Sequence, residues 1–199
     1  MRCRHALLAL WVVLAPILAG ATATQDAAAV VKRTLDAALA TAQKPGTRDE
    51  NLAALRAVVR DILDTHAMGR HAMGDVLAAQ PPEQQAEYLE LFDELIVRAY
   101  LQKLLLFRAP HFTYGEPRRS GDVVIVTTRI ATAKDEYRVD YPMREREGRW
   151  MAIDFVVEGI SLTDNYKSQF EGLLQDRSFA ELLELIRAKA RPARQEPAS

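Results

Sequence analysis

Two stretches decide the fold: Asp122-Val-Val-Ile-Val-Thr-Thr-Arg-Ile-Ala-Thr132 and Glu136-Tyr-Arg-Val-Asp-Tyr-Pro-Met-Arg-Glu145. In the second, Tyr137, Val139, Tyr141 and Met143 alternate with Arg138, Asp140 and Arg144, the period of a strand with one wet face. In the first, Val123 to Val126 is apolar on both faces, which predicts a central strand. The same period flanks them in His111 to Pro117 and in Trp150 to Glu158. Residues after Pro110 therefore predict a four-stranded antiparallel meander. Met151 to Val157, apolar on both faces, is also expected to be central.

Upstream the period is helical. Asp26 to Ala42 predicts a helix with Val30, Val31, Leu35, Ala38 and Leu39 on one stripe, ended by Lys44-Pro45-Gly46. Thr47 and Glu50 form a capping box that opens a helix carrying Leu52, Leu55, Val58, Val59, Ile62 and Leu63. Asp64-Thr65 caps a short helix through Met73. Pro81-Pro82 starts the longest helix, expected to reach about Phe107, with Tyr88, Leu91, Phe92, Leu95 and Ala99 inward. Its last turns, with Leu101, Leu104, Leu105, Leu106 and Phe107, are apolar nearly all round, so that end needs a cover or lines a cavity. Two further helices, Leu162 to Gln175 and Ser178 to Lys189, follow the strands, the second with a Ser178/Glu181 capping box. The fold class is α+β.

Arg2 and Arg4 precede an uncharged run of 13 residues, Ala6 to Leu18, followed by small residues through Ala23. This pattern predicts a cleavable secretory leader over residues 1–23, too short to span a membrane. Cleavage after Ala21 or Ala23 removes the single cysteine, Cys3, and with it any thiol chemistry. It also leaves 24 Lys+Arg against 27 Asp+Glu, a net charge of −3 that disfavours nucleic acid as a partner. Without a repeat or a Gly/Ser linker, residues 24–190 are expected to form one domain, followed by a disordered tail over 191–199.

Catalytic and metal motifs are sparse. No G-x-S-x-G, P-loop, H-E-x-x-H or G-x-G-x-x-G occurs. His66 and His71 are five apart, about 140° round a helix, which is not ligand spacing. Asp61 and Asp64 are three apart and read as helix-end carboxylates. Asp154 is the notable polar residue, because a carboxylate inside an apolar strand needs a partner. Arg118-Arg119 reads as a solvated turn, with a lipid-phosphate contact as the alternative.

Asp64-Thr-His-Ala-Met-Gly-Arg-His-Ala-Met-Gly74, Pro82-Glu-Gln-Gln85 and Glu158-Gly-Ile-Ser-Leu162 with Asn165-Tyr-Lys-Ser-Gln-Phe170 resemble the MlaC, or toluene-tolerance, family. The likeness covers nearly the whole mature chain. It departs at Pro81 and Gln85, where the family pattern has Thr and Arg, and Gly69 stands at the small residue before Arg70. Family members look like periplasmic carriers of a phospholipid's two acyl chains, acting between membranes to maintain outer-membrane lipid asymmetry. A close branch is associated with hopanoids. The resemblance implies helices on a curved four-stranded meander enclosing an apolar pocket. It also implies no cofactor, a monomer, and two partners: an inner-membrane MCE-domain protein of an ABC transporter and an outer-membrane lipoprotein/porin complex.

Such a pocket has an energetic purpose, since at ~0.8 kcal/mol per methylene a diacyl lipid exposes on the order of 20 kcal/mol of hydrocarbon to water. The expected lining is Leu101, Leu104, Leu105, Tyr137, Val139, Tyr141, Ile153, Phe155 and Val157. Periodicity alone leaves open which strand face is inward. Two other readings stay open at this level: an enzyme using Asp154 and a tyrosine as acid/base pair on a hydrophobic substrate, and a structural envelope adaptor that carries nothing.

Overall fold

The structure, a computed structural model, describes residues 15–60, 62–104, 111–132 and 135–190. Five helices come first: α1 (Ala15–Ala42), α2 (Arg48–Arg60), α3 (Thr65–Met73), α4 (Asp75–Ala78) and α5 (Pro82–Leu104). Seven strands follow: β1 (His111–Tyr114), β2 (Arg118–Ser120), β3 (Val123–Ala131), β4 (Glu136–Arg146), β5 (Arg149–Ala152), β6 (Val156–Val157) and β7 (Ile160–Ser161). Helices α6 (Leu162–Leu174) and α7 (Phe179–Ala190) end the described chain. Helix α1 starts before the expected Asp26 and runs unbroken through the expected cleavage point.

The local signals operate as the sequence implies. Thr47 and Glu50 bond reciprocally at the start of α2 (2.8 and 3.2 Å), as do Ser178 and Glu181 before α7 (2.8 and 3.3 Å). The Asp64 carboxylate accepts the Ala67 amide at 2.8 Å and caps α3.

The sheet is open and antiparallel, ordered β1-β3-β4-β6-β7, with β2 also on β3 and β5 also on β4. Seven strands thus replace the four-stranded curved meander: two lanes each break in two where one extra residue enters, and β7 adds a short strand beyond β6. Beside β3, Gly115 still bonds opposite Thr127, but the next pair is Arg118 with Ile125: three steps against two. Pro117, which has no amide hydrogen, falls in that break. Beside β4, Ile153 bonds to Pro142 and the next pair is Val156 with Asp140, again three steps against two. Each is a β-bulge, and each reverses which residues of its lane face inward. Glu158 (φ 50°) and Gly159 (φ 81°), both left-handed, turn the chain from β6 into β7 as a tight hairpin.

Register pairs Val124 with Met143, Val126 with Tyr141, Thr128 with Val139 and Ile130 with Tyr137, so these eight share one face. The helices pack on that face. On the other, Val123 and Ile125 are only half-buried, and Asp140 binds Thr127 (2.5 Å) and Arg138 (3.0 Å). The expected two-sided burial of these strands is therefore corrected to one buried and one wet face. Arg118-Arg119, read as a turn, is strand β2, exposed.

Two apolar clusters form the core. One joins α1, α2, the end of α5 and the sheet; the other joins α3, α4, α6 and α7 around Tyr88 and Phe92 of α5. Helix α5 belongs to both, with Val97 and Leu101 in the first and Leu95 and Ile96 in the second.

Candidate functional site

Between the buried sheet face and the helices lies an apolar cavity of about 600 Å³. Its sheet wall is Ile130, Tyr137, Val139 and Tyr141, continued by Phe155 and Val157. Helix α1 supplies Val31, Thr34 and Leu35, α2 Val59, the segment after α2 Ile62 and Leu63, and α5 Ile96, Val97 and Leu101. The β6–β7 hairpin and α6 complete it with Glu158, Ile160, Ser161, Leu162 and Asn165. Val157 is 37% exposed and Ile160 66%, so the rim at the hairpin meets solvent.

Of the nine residues expected from sequence, six line this cavity: Leu101, Tyr137, Val139, Tyr141, Phe155 and Val157. Ile153 does not. Strict alternation would align it with Phe155 and Val157, but the bulge after it changes the parity, and Ile153 sits opposite Pro142 on the wet face. Leu105 lies outside the described residues, and at Leu104 only the backbone of α5 is described. Sequence reasoning missed the α1 and α2 contributions, although Val31 and Leu35 were on the stripe assigned to the first helix. It also missed Ile96 and Val97, one turn before Leu101.

Three polar devices hold the walls. Asp154 sits in the bulge, and its carboxylate accepts the Phe155 amide (2.8 Å), the Thr163 amide (3.0 Å) and the Ser161 hydroxyl (2.5 Å). Ser161 in turn accepts the Asp164 amide at 3.0 Å and caps α6. Asp154 thus ties the strand lane to the hairpin and to α6, a structural role that occupies the carboxylate. The chain between α2 and α3 is stapled to β5, with Ala152 donating to the Ile62 carbonyl (2.6 Å) and accepting from the Asp64 amide (2.9 Å). Asp64 itself, 6% exposed, is bound by Arg146 at 2.6 Å. Burial opposes ionisation there, but the Arg146 and Ala67 hydrogen bonds and the Arg146 and Arg70 charges outweigh it and hold its pKa below the ordinary value. Asp61 lies outside the described residues.

Tyr141 stays neutral on the cavity wall, as burial pushes its hydroxyl up to about 12 against a smaller pull from Thr128. Its ring meets Phe155 edge-on at 5.4 Å between centroids. His71 is not among the cavity-lining residues and bridges α3 to α6 through Asp164 at 2.8 Å, while His66 lines a separate polar cleft.

The chain matches the MlaC protein family over residues 28–188. Among solved structures it is similar to the phospholipid-binding protein from Ralstonia solanacearum, determined in complex with a phospholipid. The two are 26% identical, with a TM-score of 0.74 over 83% of this chain and 97% of that one. From within α1 to within α7, through every strand that walls the cavity, the chain belongs to the MlaC family.

Proposed function

We propose that this protein is a periplasmic phospholipid carrier that shields acyl chains in the cavity, and that it performs no chemistry on them. The observation that carries the reading is the apolar cavity of about 600 Å³ between sheet and helices. A methylene takes about the volume of a water in the liquid, ~30 Å³, so the cavity holds roughly 20 methylenes. That is one full acyl chain and part of a second; a diacyl lipid also needs the hairpin rim to part. Burying that many methylenes at ~0.8 kcal/mol each returns about 16 kcal/mol, most of the cost of taking the chains through water.

Support also comes from the similarity to a protein solved with a phospholipid bound. In this reading residues 24–190 act as one monomeric domain after the leader is removed, and the direction of transfer comes from membrane partners. We place an inner-membrane MCE-domain protein and an outer-membrane lipoprotein/porin complex in that role. Native mass spectrometry with lipid extraction, on protein purified from the periplasm without detergent, tests the reading. Phospholipid adducts are expected, and hopanoid adducts would reassign the cargo. A clean unloaded mass that persists after incubation with liposomes would overturn it.

A further inference from the structure

Besides the cavity there is a polar cleft of about 1010 Å³, bounded by α2, α3, α5 and the β4–β5 hairpin. Its charges are sorted by wall. Helix α5 contributes four carboxylates, Glu87, Glu90, Asp93 and Glu94, and no cation. The facing elements contribute five arginines, Arg56 and Arg60 from α2, Arg70 from α3, and Arg146 and Arg149 from the hairpin, against two carboxylates, Asp64 and Glu147. Internal pairing uses part of this set. Asp64 of the arginine side is held by Arg146 at 2.6 Å, and Arg56 lies 3.5 Å from Asp93 and 3.6 Å from Glu94. Glu87 pairs with Arg187 from α7. Arg60, Arg70, Arg149, Glu90 and Glu147 have no ion pair among the described residues. The floor holds Val59, Leu63 and Val97, which also line the apolar cavity, so these side chains stand between the two concavities.

We propose that the cleft binds a zwitterionic phosphate ester of the phosphoethanolamine type. Its phosphate faces Arg60 and Arg149, and its ammonium faces Glu90 on the α5 wall. Arginine suits the phosphate because its planar fork meets two oxygens at once, and a primary ammonium supplies the donors that a carboxylate accepts. A singly anionic headgroup would gain from one wall and be repelled by the other. Resting on the carrier reading, the proposal makes the cleft the headgroup site of a lipid whose chain passes Val59, Leu63 and Val97 into the cavity. A cleft of this size keeps the ions hydrated, so each pair is worth no more than an exposed one. An anionic phospholipid carries the same phosphate, so the preference rests on the single ammonium–Glu90 pair and is at most roughly fivefold.

The test loads purified protein from vesicles of equimolar phosphatidylethanolamine and phosphatidylglycerol and reads the bound ratio by mass spectrometry. Wild type is expected to carry more of the ethanolamine lipid, by a factor of up to about five. Glu90→Gln should bring the ratio toward one, whereas the Arg60→Gln/Arg149→Gln double variant, which weakens the phosphate contact common to both lipids, should lower the loading of both and keep the ratio. Arg118→Gln, on strand β2 away from the cleft, should change neither. In parallel, free phosphoethanolamine is titrated against labelled protein by NMR. Shifts at Arg60, Arg149 and Glu90 with an even lipid ratio would uphold the chemistry and assign the site to a soluble ester in place of the headgroup. An even ratio with no such shifts overturns the proposal while leaving the carrier reading intact. A protein that takes up neither lipid fails the carrier reading, and the titration alone then decides the cleft.

Discussion

Replacing Val139 with arginine should abolish lipid retention without unfolding the protein. Val139 is 6% exposed, stands opposite Thr128 on β3 and Val157 on β6, and lines the cavity from the middle of β4. A guanidinium placed there cannot shed its water at acceptable cost, and the open space lets it keep some. Four or five hydrating waters at ~30 Å³ each take about 150 Å³, a quarter of the 600 Å³ cavity. Displacing about five methylenes at ~0.8 kcal/mol each removes about 4 kcal/mol of binding, nearly a thousandfold in affinity. The cost to folding is smaller, about 2 kcal/mol for the lost valine burial, because the cavity accepts the longer side chain. Native mass spectrometry of detergent-free protein reads the occupancy, and near-UV circular dichroism with a urea midpoint checks the fold. Ile125→Arg, on the wet face of the adjacent strand, is the matched control and should still carry lipid. A folded Val139→Arg protein loaded like wild type would refute the assignment of this face to the cargo.

Four other outcomes follow from the same contacts. Arg146→Ala should cost about 1–2 kcal/mol at pH 7, since Asp64 is buried but its partner is half in water. The Asp64 pKa is depressed, so this stability is present above the unfolded value of ~3.9 and lost as pH falls through the folded one. The gap between the urea midpoints of wild type and variant should therefore narrow as pH falls below ~3.9, and a gap unchanged from pH 7 would contradict the linkage. Asp154→Asn sets an amide donor against at least one of the three donors the carboxylate now accepts, costing ~1–3 kcal/mol and speeding hydrogen exchange over residues 155–163; unchanged exchange would remove the residue from the hairpin. Gly69→Ala gains ~1 kcal/mol of helix propensity, but its Cβ would lie 3.1 Å from Leu89 and Phe92, and Phe92 is fully buried. Overpacking of ~1–3 kcal/mol should win, so a rise in Tm would show that the bundle yields there. Finally, delipidated protein should melt several degrees below loaded protein, and coincident melting curves would mean the cargo does not bind the folded state preferentially.

The legible parts of the fold were those decided within one turn or one unbroken ladder. Thr47 with Glu50, Asp64 before α3 and Ser178 with Glu181 each announced a helix start, and each makes the expected bonds. Alternation from Tyr137 to Met143 separated the two faces of β4, because the β3–β4 ladder runs without interruption over nine pairs, and the helices decide that the apolar set is inward. Alternation failed at Ile153, where a period of two is carried across a bulge that resets it. The sequence did mark both breaks, by Pro117 in one lane and by Asp154 in the other. A polar residue inside an apolar run is a natural place for a ladder to open, because its side chain can satisfy the amides the ladder releases. Asp154 does this for Phe155, and reaches Thr163 as well. The α1 and α2 walls could not be read at all, since a stripe facing a cavity and a stripe facing a packed core have the same composition.

Why the cavity does not collapse is a question about the second core. An empty dry void of 600 Å³ at ~24 cal/mol per Å³ would cost about 14 kcal/mol, an upper bound since the rim admits water, yet comparable to the whole stability of a domain. Side chains would relax into such a space unless the walls were fixed elsewhere. Helix α5, one of those walls, is fixed at its other end. Tyr88 and Phe92 lock it into a nest of rings with Tyr166, Phe170 and Phe179, centroids 5.6–6.3 Å apart, and the Tyr88 hydroxyl bonds the Gly69 carbonyl at 3.0 Å. On the opposite wall, β4 is held by ladders on both edges. The α2 end is stapled to β5 through Ala152. Holding the packed bundle and the hollow layer on one continuous helix lets the first keep the second open, and leaves the β6–β7 hairpin, tied down by Asp154 but with Ile160 in solvent, as the exposed part of the rim.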